Sequence, residues 1–170
     1  MTSAAEPSTP VESFSGPQHS PGFLLWRATL RWQRSIGSAL RPLKLTHVQF
    51  VLLASLWWLS VHGDESDQTP SQRQVADHAG TDVMMTSQVV RTLEARGMLT
   101  RTLDPADARV KRLTLTDAGR RHAEQAILIV EAVDTDFFSA VEDQRQLLDV
   151  VRQLANDQDP GLYAPAAPRS

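Results

Sequence analysis

The chain has no cysteine among its 170 residues. Disulfides, thiolate zinc sites and thiol-based redox sensing are therefore excluded. Its five histidines form no His-x-x-x-His or similar cluster, so no metal site is expected. There is no Gly-rich phosphate loop, no nucleophile elbow and no His/Glu pair at ligand spacing. An enzyme reading thus lacks a motif, and no cofactor is expected. Long apolar runs are missing as well. The longest, 50–59, is about half of what spans a bilayer. Residues 1–20 carry Glu6 and Glu12 and no apolar segment, so they do not read as a signal peptide. A cytoplasmic protein with no membrane partner is expected. No internal repeat is visible.

What is there is ordinary in bulk and uneven in detail. Hydrophobic residues make up 41% and charged residues 22%, the proportions of a soluble globular domain. The length suits one domain with tails. Net charge is -3, which alone argues against a nucleic-acid glue. Its distribution argues otherwise. Residues 91–121 hold eight Lys/Arg against four Asp/Glu, a surplus of +4. Residues 122–160 hold two Arg against nine Asp/Glu, a balance of -7. Such asymmetry is expected when one lobe faces phosphate and another does not.

The basic region has a definite layout. Two short runs, 99–103 and 110–115, flank Asp104-Pro105-Ala106-Asp107-Ala108, a turn former whose proline presets φ and whose aspartates bond their own backbone. This predicts a β-hairpin bearing Arg101, Arg109, Lys111 and Arg112. Thr116 offers an N-cap to the helix that follows. Upstream, Ser71 and Gln74 form a capping-box pattern for a short helix that Gly80 ends. Thr81 or Asp82 caps a second helix, 83–96, which Gly97 ends. On it Thr86, Val89, Val90 and Leu93 make a core stripe, while Met84, Ser87, Gln88 and Arg91 make another. Gln and Arg form paired bonds to base edges, and Met touches a thymine methyl. A helical hairpin followed by a basic β-hairpin is the layout of a winged helix-turn-helix. The candidate DNA contacts are Gln72, Arg73, Thr81, Met84, Ser87, Gln88, Arg91, Arg101, Asp107, Arg109 and Lys111. Asp107 is assigned to orient the wing, and Arg109 to reach the minor groove or its phosphates.

Three motifs carry a resemblance: Leu93-Glu94-Ala95-Arg96-Gly97-Met98-Leu99, then Asp104-Pro105-Ala106-Asp107-Ala108-Arg109, then Leu113-Thr114-Leu115-Thr116-Asp117-Ala118-Gly119. With Arg101 between the first two, they resemble the MarR (multiple antibiotic resistance regulator) family of bacterial transcription factors. The resemblance extends more weakly over 23–154. It implies a double-stranded DNA partner, a dimer and, often, release from DNA when a phenolic or other small anion binds. The absence of cysteine removes the family's peroxide-sensing branch. Met84 and Met85 stand where small hydroxyl residues are common in the family, so no operator sequence is carried over.

The expected fold is mainly α with a small β-hairpin wing. It combines a winged helix-turn-helix with a helical dimerisation region. Residues 1–19 read as a disordered tail and 157–170 as a flexible one. The domain covers 20–156, with a DNA-binding lobe at about 45–115 and dimerisation helices at about 22–40 and 116–155. The first helix and the last two exceed what a lone winged helix needs, so a homodimer is expected, with a near-palindromic operator. Trp26, Trp32, Trp57 and Trp58 fall in the first two helices. Core and dimer packing explains them. The alternative is an aromatic-ligand pocket walled by Trp26, His47 and Trp57, with His47 also readable as a surface residue beside a cap. A salicylate-like effector is the expectation under that alternative. A protein-docking winged helix, or DNA binding without a ligand, is the other alternative.

Overall fold

Local capping sets the helix starts. The computed structural model describes residues 16–63 and 69–155. The tail reading for 1–15 and that for 157–170 lie outside the described residues. Pro17–His19, inside the stretch read as a tail, forms one 3-10 turn. Helix α1 (Pro21–Leu40) begins where the Ser20 hydroxyl accepts from the Phe23 amide and Pro21 takes the first helical position. A 3-10 turn at Arg41–Leu43 ends it. Capping boxes at Thr46/Gln49 and Ser71/Gln74 open α2 (His47–His62) and α3 (Gln72–Ala79). Gly80 ends α3 at φ 63°, a left-handed conformation that glycine adopts without a Cβ penalty. Asp82, of the two candidates, caps α4 (Val83–Ala95), its carboxylate accepting from the Met85 amide at 2.8 Å.

The wing is the hairpin of β1 (Leu99–Leu103) and β2 (Lys111–Leu115), antiparallel, with Leu99 opposite Leu115. Val110 belongs to the turn rather than to the strand. Its amide donates to the Asp107 carbonyl and its own carbonyl accepts from Asp104, both at 2.9 Å. The segment before α3 adds to the open edge of β2. The Leu113 amide donates to the Pro70 carbonyl, and Ser71 bridges Arg112. The turn is closed from within. Buried Asp104 accepts from the Ala106 and Asp107 amides and, at 2.7 Å, from Arg112 Nε. Arg112 Nη1 reaches on to the Thr69 carbonyl.

Helix α5 (Asp117–Phe138) starts at the capping hydroxyl of Thr116, and α6 (Gln144–Ala155) follows. The core gathers Ile36 and Leu40 of α1, Leu52, Leu53 and Leu56 of α2, Val75, Val90, Leu93, the wing's Leu99 and Leu113, and Ala123, Ala126 and Val130 of α5. Helix α2 is apolar nearly all round because it packs on α3, α4 and α5. Among the described residues no single helix is long and apolar enough to cross a membrane.

Two expected outcomes follow from these contacts. A Cβ on Gly119 would lie 1.7 Å from the Met98 carbonyl oxygen, a backbone atom. Gly119→Ala is therefore expected to destabilise by about 1–3 kcal/mol, although Ala is ordinarily the better helix former by about 1 kcal/mol. A raised Tm in thermal denaturation would show that this approach is not tight.

The second concerns Asp104. The Arg112 guanidinium, and then the Ala106 amide, hold its carboxyl below the usual carboxylate range. A depressed folded pKa stabilises above the unfolded value and is lost as pH falls through the folded one. Hydrogen-exchange protection at Ala106 and Asp107 should therefore drop below about pH 4. Asp104→Asn should lose that protection already at neutral pH. Full protection in the variant would mean that the pair does not hold the wing.

Candidate nucleic-acid interface and ligand cavity

Helical spacing puts Met84, Ser87, Gln88 and Arg91 on one face of α4. The opposite face buries Thr86, Val90 and Leu93. Met84 is 84% exposed, Gln88 and Arg91 are exposed, and Ser87 is half-buried. Arg91 Nη2 donates to the Ser87 hydroxyl at 3.3 Å, which lays the guanidinium along this face. Beside it, α3, α4 and the wing enclose an open groove of about 500 Å³. Gln72 and Arg73 line one side, Ser87 the floor of α4, and Arg109 and Lys111 the wing side. Arg109 is almost fully exposed at 94%. Its guanidinium lies 3.9 Å from Asp107, while its amide donates to the Asp107 carboxylate at 3.0 Å. Asp107 thus shapes the loop through the backbone and leaves the Arg109 side chain free to extend. Arg73 pairs loosely with Asp77 one turn on, at 3.7 Å with both side chains exposed.

Three of the sequence-picked residues are committed inside the molecule. The Thr81 hydroxyl sits 2.7 Å from that of Thr86, where it braces the α3–α4 turn. Arg101 pairs with Glu94 at 2.5 Å, with both side chains mostly covered, which ties β1 to the end of α4. That bond, ahead of the other causes, keeps the Glu94 carboxyl below its ordinary range. The Gln72 carbonyl oxygen is enclosed and makes no hydrogen bond. Two arginines that the sequence reading counted only as charge act as braces. Arg112 closes the wing turn. Arg96 donates to the carbonyls of Lys44 and Leu43, fixing the end of α4 to the turn before α2.

The three proposed pocket residues part company. Trp57 lines an open cavity of about 510 Å³ between α2, α3 and α5. Trp26 stands near the start of α1, 60% exposed, outside it. His47 packs edge-on to Trp32 at 4.9 Å and stacks on Phe50 at 6.4 Å. Burial pushes its imidazole below the ordinary histidine range, against the pull of the Asp134 carboxylate. Asp134 in turn accepts from the Trp32 indole N–H at 2.6 Å. The separation is one of helical geometry, since Trp26 lies ten residues before Ile36, where α1 first becomes fully buried. Trp58, one of the four tryptophans of the first two helices, also lines the cavity, and the sequence reading missed Phe50, His78 and Glu131 as lining. The i, i+3 spacing of Val75 and His78 and the i, i+4 spacing of Ile127 and Glu131 are the signals that put these residues on inward faces. Among the described residues no group of three His, Asp or Glu is placed to hold a metal ion.

Comparison with known proteins agrees with this architecture. A family model described as MarR family matches residues 45–111, the stretch from the start of α2 to the wing. An uncharacterized HTH-type transcriptional regulator of Bacillus subtilis, YdcH, is 45% identical over 141 residues, covering 83% of this chain and 93% of that protein. The crystal structure of CouR from Rhodococcus jostii, bound to p-coumaroyl-CoA, superposes with a TM-score of 0.70 at 28% identity. It covers 86% of this chain and 99% of that one. Bordetella bronchiseptica BpsR, whose structure addresses regulation of its DNA binding by 6-hydroxynicotinic acid, gives 0.65 at 28% identity over 81% and 98%. With a relative this similar along nearly its whole length, and the family model lying on the helices and the wing, the chain belongs to the MarR family of transcriptional regulators.

Proposed function

We propose that the chain is a homodimer that binds a near-palindromic DNA operator through two copies of α4 and the wing, and that a small aromatic ligand releases it. The observation that carries the DNA reading is the exposed α4 face of Met84, Gln88 and Arg91 beside a wing whose Arg109 is held out at 94% exposure. A helix of this kind fits the major groove, and an extended wing arginine meets phosphates or the minor groove. In this reading Arg73 and Lys111 contact phosphates. Thr81, Arg101 and Asp107 position the contact surface, and Gln72 lies at its edge.

The dimer reading rests on apolar surface. Leu24, Leu25 and Trp26 of α1 and Leu148, Val151 and Leu154 of α6 are each about half exposed or more, and α6 buries nothing within one copy. Patches of this kind mark association sites, and a second copy offers the same patch by two-fold symmetry. The DNA-binding lobe is then about 45–115 and the dimerisation region is α1, α5 and α6. The ligand reading is supported by the cavity at Trp57 and by what CouR and BpsR are named as binding or responding to. The protein acts in the cytoplasm and carries out no catalytic step.

Three measurements test this reading. Sedimentation equilibrium of the full chain should give a dimer at micromolar concentration, and a stable monomer would overturn the two-half-site model. Selection from a random duplex pool should return near-palindromes. On the selected duplex, Arg109→Ala should weaken binding and make the slope of log K against log salt shallower by roughly one unit per lost phosphate contact per subunit. Unchanged affinity and slope in a folded variant would remove the wing from the interface.

A further inference from the structure

We propose that the cavity between α2, α3 and α5 takes a small aromatic cation, such as a protonated aromatic amine, in preference to an aromatic carboxylate. The proposal rests on the reading of the chain as a ligand-controlled regulator and specifies the charge of the ligand. The volume, about 510 Å³, suits a molecule of one or two rings. Three walls are aromatic: Phe50, Trp57 and Trp58. Ring faces carry negative quadrupole density, so they attract cations and disfavour anions. The one formally charged lining residue is Glu131, and no Lys or Arg lines the cavity among the described residues. A second carboxylate stands behind the wall, since the Trp57 indole N–H donates to Glu124 Oε1 at 3.3 Å.

The remaining polar lining groups are Ser55 on α2, whose hydroxyl is uncharged, and His78 on α3. Burial holds its imidazole below the ordinary histidine range, so it is a neutral group and no counter-cation for an acid. Both of its ring nitrogens are enclosed without a hydrogen-bond partner. Enclosed and neutral, it does not distinguish a ligand amine from an acid by charge. Charge selection therefore falls to Glu131 and the ring faces, and both favour a cation. An aromatic acid would face a carboxylate and two indoles with no positive group to meet it.

The test uses one ring system with opposite charges, 1-naphthylmethylamine and 1-naphthoate, titrated calorimetrically into the full-length protein at pH 7. The amine is expected to bind at least tenfold more tightly than the acid. Glu131→Gln, a change at an exposed position, should weaken amine binding at least fivefold without weakening the acid. Equal or tighter binding of the acid overturns the proposal. So does an amine affinity unchanged by Glu131→Gln, and so does no binding of either probe. Duplex binding without probe, measured on the same preparation, separates the two readings. Its loss overturns the regulator reading, whereas duplex binding with no amine preference overturns the charge assignment alone.

Discussion

The structure depends on one crossing of the chain. The Met98 carbonyl lies where α4 has just ended and β1 is about to begin, and the start of α5 is laid directly on it. The Thr116 amide donates to that carbonyl at 3.1 Å, and the Thr116 hydroxyl donates to Gly97 at 2.7 Å. The same hydroxyl oxygen accepts from the Gly119 amide and so caps α5. Only a glycine at 119 lets the helix come this close. One small polar network therefore joins the turn between α4 and β1, the residue that follows β2 and the first turn of α5. The direction of α5 relative to the exposed face of α4 is set here. If α5 belongs to the dimerisation region, this junction governs the distance between two recognition helices, and with it the half-site spacing the protein can read.

Around that junction the ion pairs grade from buried to free, and burial decides what each does. Asp104 and Arg112 are nearly enclosed and have additional backbone partners, so the pair is a fixed part of the wing turn. Breaking a buried pair strands a charge, which is far more costly than losing a surface contact. Glu94 and Arg101 are intermediate and lock β1 to α4. Asp107 and Arg109 are exposed and long, and such a pair contributes little. That weakness suits the role proposed for Arg109, in which the side chain leaves its partner for a phosphate. A strongly held Arg109 would have to give up its pair on every binding event.

Local features of the fold were legible in the sequence. The Ser71/Gln74 capping box, the glycine end of α3, the wing turn and the Thr116 cap are decided within a few residues, and each stands as read. The exceptions follow from contacts that sequence spacing does not display. Val110 alternates with its neighbours like a strand residue, yet its hydrogen bonds close the turn. Arg96, Arg101 and Arg112 look like equal members of a basic run. Their partners lie at Lys44, at Glu94 and at Thr69 and Asp104, and only the folded register brings them together. Trp26 and Trp57 share a composition but not a place, because the apolar stripe of α1 is covered only toward its C-terminal end.

Helix α3 joins the two candidate sites. Its first turn carries Gln72 and Arg73 on the groove beside α4, and its last carries His78 and Ala79 on the cavity. Eight residues of helix span about 12 Å, and the capping box and Gly80 fix both ends. Val75 and Ala76 are fully buried, so the helix is seated in the core and cannot deform one turn at a time. A ligand that displaces the cavity wall at His78 therefore tends to tilt the whole of α3 and, through the short Gly80–Thr81 turn, the start of α4. The shift matters only if the ligand binds the tilted arrangement better than the DNA-bound one. The cavity is bounded on one side by α3, so in the proposed function that difference arises where the bound ligand presses on this helix.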